Sequence, residues 1–161
     1  MTAKKRKKFM EEKAHFTQLL SDIVVNKNVR KMMEFNHHSD TTCFMHCVHV
    51  AYYNYKICKF FGLDEVAGAR AGMLHDLFLY DWHTHAKETG NKFHGLTHPK
   101  VAYKNAKKDF KLNDKEKDII IKHMWPITIA LPKYKETSVI CLTDKFCGLC
   151  EVIDKYARKI G

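Results

Sequence analysis

Residues that interrupt helices are scarce in this chain, and this scarcity constrains its fold more than any other feature. Only seven glycines and three prolines occur among 161 residues. Glycine and proline are the residues that most disfavour the interior of a helix. The segments between them carry neither a clear strand pattern nor an internal repeat. We therefore predict an all-α protein.

The breakers and capping residues divide the chain into six predicted helices. Gly62 should end the second helix and Asp64 should cap the third. Asn113 and Glu116 have the spacing of a capping box. The predicted helices cover about residues 11–33 (with a break near 26–28), 42–61, 64–76, 97–110, 113–124 and 137–159. Residues 80–96 are expected to form an irregular loop, and Pro99 should lie in the first turn of the helix that follows.

Length and composition predict a single cytoplasmic domain. The 45% of apolar residues suffice for one core. No apolar run reaches the roughly 18 residues of a membrane span, and no signal peptide is recognisable. The six cysteines lack a disulfide-scaffold pattern, so we expect reduced thiols. Cys147-x-x-Cys150 is expected to pack one face of a helix rather than to bind zinc.

The positive charge is concentrated at the N-terminus. The net charge is +10, and the first 13 residues contain six Lys/Arg and two Glu. We predict a basic, disorder-prone segment over 1–13 and a single domain over 14–161. A basic surface favours anionic partners, and we expect an anionic small-molecule substrate. Nucleic acid is not an expected partner, because no helix-turn-helix, finger or aromatic-basic motif is present.

His75-Asp76 ends an alanine-rich apolar stretch and offers one imidazole and two carboxylate oxygens at a single backbone point. Such donors suit a divalent metal. Helical phase places His46 on the same stripe as Val50, Tyr53 and Ile57, which predicts that it is buried. A buried imidazole needs a partner, either a backbone carbonyl or a metal. His49 falls on a charged stripe instead.

Asp144 also needs a partner if its side chain is buried. The residues three and four positions away on its helix cannot neutralise a carboxylate, and Lys145 points about a quarter-turn away. An unpaired buried carboxylate is costly, so a metal is the simplest counter-charge. Taken singly, His98 and His123 fit a capping role as well as a ligand role. The remaining histidines of the loop, His83, His85 and His94, are expected to be exposed.

The ordered set His46, His75-Asp76, His98, His123 and Asp144 resembles the HD-domain superfamily of metal-dependent phosphohydrolases. The resemblance spans roughly residues 37–150 and implies an HD-domain helical bundle. His98 and His123 resemble the additional ligands of the subgroup that holds two metals. No lysine shortly follows His75-Asp76, and no Gly-Tyr-Pro follows His123, which disfavours a cyclic-dinucleotide substrate.

This resemblance implies hydrolysis of a phosphate ester or anhydride, in a nucleotide or related small molecule, by a metal-activated hydroxide. It implies one or two divalent transition metals, and the ligand types do not choose among Fe, Mn, Co and Zn. One metal would bind His46, His75, Asp76 and Asp144. The catalytic Asp76 would bridge to a second metal at His98 and His123. Candidate substrate-binding residues are His38, Arg70, Asp81, Lys100 and Lys145.

Three alternatives remain open at the level of sequence. The same ligands serve di-iron oxygenases of the HD fold, which oxygen consumption would reveal. A non-catalytic metal- or nucleotide-binding module would bind nucleotide without turnover. Nucleic-acid binding through the basic N-terminus would be lost on deletion of residues 1–13.

Overall fold

The structure, a computed structural model, describes residues 2–37, 40–82, 84–85 and 93–160, with 159 and 160 described by their backbone alone. In these ranges the chain is helical, and its β structure is limited to an isolated antiparallel bridge between Asn36 and Thr42. This confirms the all-α prediction. None of the described helices has the length and apolarity needed to cross a membrane.

The described helices vary widely in length. They are α1 (Ala3–Leu19), α2 (Ser21–Val24), α3 (Lys27–Arg30), a 3-10 helix (Lys31–Glu34), α4 (Cys43–Phe60), α5 (Glu65–Leu74), α6 (His94–Asp109), α7 (Asp114–Lys122) and α8 (Lys135–Ile160).

The N-terminal region has the predicted break near 26–28 but otherwise differs from the helix predicted over 11–33. Helix α1 already begins at Ala3, with the Thr2 hydroxyl accepting a hydrogen bond from the amide of Lys5. A new start occurs at Asn26, whose side-chain oxygen caps the amides of Asn28 and Val29. Most of the basic segment is therefore helical and exposed. Its separation from the domain over 14–161 stays a prediction.

Several predicted helix ends are confirmed. Helix α4 ends before Gly62, which adopts a left-handed φ of 65°. The amide of Leu63 reaches back to the carbonyl of Cys58 at 2.8 Å, which satisfies a terminal carbonyl of α4. Asp64 accepts from the amide of Ala67 at 2.9 Å, and the capping box at the start of α7 is complete.

Helix α5 is the centre of the bundle. It contacts α1, α4, α6, α7 and α8. Its small residues permit this, because a Cβ added at Gly72 would lie only 2.8 Å from the Cα of Ala51 in α4. The close approach of the two backbones brings the residues that follow α5 against the inner face of α4.

Three details correct the sequence analysis. The buried face of α4 includes His46 and Val50, as predicted, but it continues through Asn54 and Tyr55, whereas Tyr53 is 41% exposed. Helix α6 begins at His94, so Pro99 lies inside it rather than in its first turn. Cys147 packs in the core, but Cys150 is exposed.

Candidate metal centre

The six predicted ligands come from five helices and meet beside the C-terminal end of α5. His46 lies in α4, His98 in α6 and Asp144 in α8. His75 and Asp76 directly follow α5, and His123 directly follows α7. All are buried except Asp144, whose side chain is 13% exposed. The structure therefore brings all six together, and their role as metal ligands stays a prediction.

The first cluster surrounds Asp144. Its Oδ1 lies 3.2 Å from Nε2 of His46 and 3.6 Å from Nε2 of His75. The Oδ2 of Asp76 lies 3.6 Å from the same nitrogen of His75. Two imidazoles and two carboxylates thus point towards one small volume.

The second cluster lies on the other side of Asp76. Nε2 of His98 and Nε2 of His123 are 2.8 Å apart. The Oδ1 of Asp76 lies 3.2 Å from the former and 3.6 Å from the latter. Asp76 therefore presents one oxygen to each cluster.

Backbone carbonyls fix the orientation of three imidazoles. The Nδ1 atoms of His75, His98 and His123 lie 2.8, 2.9 and 2.9 Å from the carbonyls of Gly72, His94 and Ile120. A carbonyl only accepts, so each Nδ1 donates, and a neutral ring then turns its Nε2 lone pair inward. Two such nitrogens 2.8 Å apart need a proton or a metal ion between them. Because both Nδ1 atoms are already bonded to carbonyls, both Nε2 atoms are available as metal ligands.

Two buried polar atoms support the same interpretation. Nε2 of His75 and Oδ1 of Asp76 have no hydrogen-bond partner among the described residues. Buried polar atoms without a partner are costly and rare in folded proteins. Both are the donor atoms that a divalent transition metal takes, so the residues present fit a metal.

His37 and Glu151 complete the centre, and the sequence analysis assigned neither of them to it. Nε2 of His37 lies 3.1 Å from Oδ2 of Asp76, and its Nδ1 lies 3.4 Å from Glu151. The other oxygen of Glu151 lies 2.9 Å from Nδ1 of His46. Glu151 follows Asp144 by two helical turns, so helical phase would have placed it on the same face of α8. No local sequence pattern predicts that His37 lies at the centre.

The charges of the centre depend on each other. Burial opposes protonation of His37, but its hydrogen bonds to Asp76 and Glu151 raise its pKa to about 10. Burial likewise opposes protonation of His75, but the charges of Asp76 and Asp144 raise its pKa to about 9. Burial and the positive charge of His75 and His98 lower the pKa of His123 to about 3. Without metal, protons on His37 and His75 would thus offset part of the charge of the three carboxylates.

The histidines of the loop differ from the prediction that they are exposed. His94 is the first residue of α6. It is half-buried because its ring stacks on those of His98 and Trp82. Burial, together with the charge of His98, lowers the pKa of His94 to about 4. His85 stacks on Tyr80 with 3.9 Å between ring centroids. His83 lies outside the described residues.

Only one of the five predicted substrate-binding residues is placed at the centre. Lys145 lines the adjoining cavity. Arg70 is paired with Asp22 and Glu116 and is not among the described lining residues of the cavity, so a role for it in substrate binding stays a prediction. Lys100 and Asp81 are exposed and are not among the described lining residues of the cavity. His38 lies outside the described residues.

A comparison with family models finds a match to the HD domain over residues 43–149. The chain therefore belongs to the HD-domain family, as the order of its histidines and aspartates indicated. Searches among curated proteins and among solved structures found no match. HD domains bind divalent metals and are generally hydrolases.

Proposed function

We propose that this protein is a metal-dependent phosphohydrolase that cleaves a phosphate ester or anhydride of a small molecule. The observation that carries this proposal is the placement of Asp76, with one oxygen towards each of two imidazole clusters. Carboxylates that bridge two metals are characteristic of sites for phosphoryl transfer to water. Membership of the HD-domain family supports the same reaction class.

The residues present fit two divalent metals drawn from Fe, Mn, Co and Zn. His46, His75, Asp144 and one oxygen of Asp76 would hold the first, and His98, His123 and the other oxygen the second. When bound, such metals lower the pKa of water and polarise phosphoryl oxygens. Glu151 orients His46, while backbone carbonyls orient the other three imidazoles.

Lys145 is the residue placed to meet a substrate phosphate. Its ammonium donates to the carbonyls of His123 and Cys141 at 3.3 and 3.0 Å. These bonds hold a positive charge beside the second cluster, and an ammonium has a further hydrogen to donate. We infer that it binds a phosphoryl oxygen and stabilises the charge that develops on it.

The central test replaces Asp76 by alanine. We expect loss of bound metal by elemental analysis and loss of hydrolysis of 4-nitrophenyl phosphate. Asp154→Ala, an exposed aspartate on α8, is the matched control and should retain both. Full metal content in Asp76→Ala would contradict the assignment. Metal loading without hydrolysis, combined with oxygen consumption in the native protein, would favour the oxygenase alternative.

A second test separates one metal from two. His98→Ala and His123→Ala should each lower the metal content to about half, because each removes a ligand of the second cluster only. His49→Ala is the control, since His49 lies in the turn of α4 that follows His46 but is exposed. Unchanged stoichiometry in both variants would leave one metal and assign these two histidines to substrate or structure.

A further inference from the structure

The cavity beside the candidate metal centre has one side formed by apolar side chains, which we call the apolar wall. The cavity measures about 680 Å³, a size typical of small-molecule sites. Its described polar lining includes four histidines (His37, His94, His98 and His123) and the two aspartates of the centre, and it is accompanied by a set of apolar side chains. These are Trp82, Met124, Ile127, Leu149 and Val152.

Stacked rings connect this wall to the second cluster. The indole of Trp82 lies 5.6 Å from the ring of His94 at 16°, and His94 lies 4.6 Å from His98 at 21°. The indole nitrogen donates to the carbonyl of His37 at 3.2 Å, which fixes the orientation of the ring. Trp82 is therefore connected to the candidate ligand His98 through a single intervening ring, that of His94. That is close enough for the organic part of a phosphate ester bound at the centre.

The described lining contributes a single cationic side chain. Lys145 is the one lysine or arginine among the described lining residues. A phosphate monoester carries about −1.5 to −2 charges at neutral pH, and the metals together with Lys145 would meet all of its oxygens. The additional phosphates of a polyphosphate chain would lie farther from the metals, where such groups are commonly held by further cations such as arginine. The described lining supplies none.

The same wall disfavours a polar organic part. A sugar hydroxyl placed against Ile127, Leu149 or Val152 would find no hydrogen-bond partner on these side chains. An aliphatic or aromatic group would instead gain from leaving water. Selection therefore depends on the organic part of the ester as well as on the phosphate.

We propose that the site selects phosphate monoesters of apolar alcohols, above all those that carry a ring, over sugar phosphates and polyphosphates. This inference rests on the proposed phosphohydrolase function and names its substrate class. The reaction would transfer the phosphoryl group from the alcohol oxygen to water, which releases the apolar alcohol and inorganic phosphate.

The test compares substrates whose leaving groups are similar. Benzyl phosphate and glycerol 3-phosphate both release a primary alcohol, so their intrinsic reactivities are close. With the metal-loaded full chain, we expect kcat/KM for benzyl phosphate to exceed that for glycerol 3-phosphate by about 100-fold, since several apolar contacts differ. ATP should be a poorer substrate than benzyl phosphate. Because 4-nitrophenolate is an activated leaving group, hydrolysis of 4-nitrophenyl phosphate reports phosphohydrolase activity even where contacts with the organic part are weak.

Each outcome has a distinct meaning. Hydrolysis of 4-nitrophenyl phosphate with equal or better use of glycerol 3-phosphate or ATP would overturn the substrate class and leave the proposed function intact. Failure to hydrolyse any ester, including 4-nitrophenyl phosphate, would overturn both. A preference for benzyl phosphate supports both.

Variants test whether this wall is responsible. Ile127→Ser and Leu149→Ser should each lower kcat/KM for benzyl phosphate by about 10-fold while sparing glycerol 3-phosphate. Both side chains are 58% exposed, so the fold should tolerate the change. Leu142→Ser, on α8 and outside the described lining, is the matched control. Equal losses of kcat/KM for both substrates would show that these side chains do not determine the substrate preference.

Discussion

Glu151 uses its two oxygens on two different histidines. One oxygen lies 2.9 Å from His46 and the other 3.4 Å from His37. The other three inner imidazoles are oriented by backbone carbonyls, which are neutral. A carboxylate behind an imidazole raises its basicity as a ligand. The two metal positions are therefore unequal, and the one at His46 should bind more tightly.

Replacing Glu151 by glutamine tests this inequality. We expect metal affinity at the His46 cluster to fall by about 10- to 100-fold, because glutamine keeps the shape but not the charge. Affinity at the His98 cluster should not change. Chelator competition and the absorption spectrum of bound Co²⁺ report the two positions separately.

Asp154→Asn is the control for this variant, since it likewise replaces a carboxylate of α8 by an amide but does so at an exposed position. A role of Glu151 in packing alone would lower the thermal stability of the metal-free protein and leave both affinities as they were. That result would contradict the prediction.

Single residues also show where sequence reasoning reached its limit. Helical phase correctly predicted that His46 is buried and His49 exposed. It could not anticipate that Arg70 would meet Asp22, 48 residues away, because that pairing depends on how α2 lies against α5. Nor does a leucine predict the left-handed φ of 60° that Leu79 adopts shortly after His75-Asp76.

At the scale of elements, the approach of α5 to α4 determines the position of His75 and Asp76. Gly72 makes this approach possible one turn before His75. The main helices could be predicted from helix-breaking and capping residues, because Gly62, Asp64 and Asn113 act on the backbone next to them. The start of α6 could not be predicted in this way, because the rings that pack around His94 come from other segments.

Gly72→Ala should destabilise the fold and weaken metal binding. The added Cβ would meet the backbone of Ala51 at 2.8 Å, so the two helices must separate. Overpacking of this kind costs about 1–3 kcal/mol, measurable as a lower urea midpoint with an unchanged slope.

Gly95→Ala is the comparison for this variant. A Cβ at Gly95 meets only the end of Met124 at 3.6 Å, so stability should be kept or slightly raised. Equal destabilisation by both variants would show that the α4–α5 contact is not the cause.

Asp118 connects α7 to the start of α8. Its Oδ2 accepts from the amide of Lys133 at 2.9 Å and from the hydroxyl of Thr137 at 2.7 Å, and Lys122 pairs with its Oδ1. Burial opposes ionisation, but these partners outweigh it and lower the pKa of Asp118 below 3.8. The lowered pKa means that the ionised form stabilises the native state.

Asp118→Ala should therefore lower the free energy of unfolding by about 1–3 kcal/mol near neutral pH. The native protein should keep this contribution above the unfolded-state pKa and lose it as the pH falls through the lower native value. Urea unfolding of both proteins over a pH series measures the difference. A difference that grows on acidification would contradict the sign.

At the scale of the whole molecule, the centre concentrates ionisable groups that only a cation or bound protons can balance. Asp76, Asp144 and Glu151 share a small volume with His37 and His75. The order and spacing of the ligands made the family recognisable from sequence. The apolar wall was not predictable, because Trp82 and Leu149 reach the same cavity from distant parts of the chain.

Metal should stabilise the native protein substantially. At a free metal concentration of 100 times Kd, one site contributes about 2.7 kcal/mol, which should raise the Tm of a chain of this size by about 5–10 °C. Differential scanning fluorimetry with and without a chelator measures the shift. Asp76→Ala should show none, and an equal shift in that variant would contradict binding at this centre.

The candidate ligands span much of the chain, since His46 and Asp144 are 98 positions apart. Contacts between such distant residues require a long loop to close, so they tend to form late in folding. The centre should accordingly be absent from the folding transition state. Bound metal should then slow unfolding while leaving the rate of folding nearly unchanged. Metal binding would therefore lengthen the lifetime of the folded state.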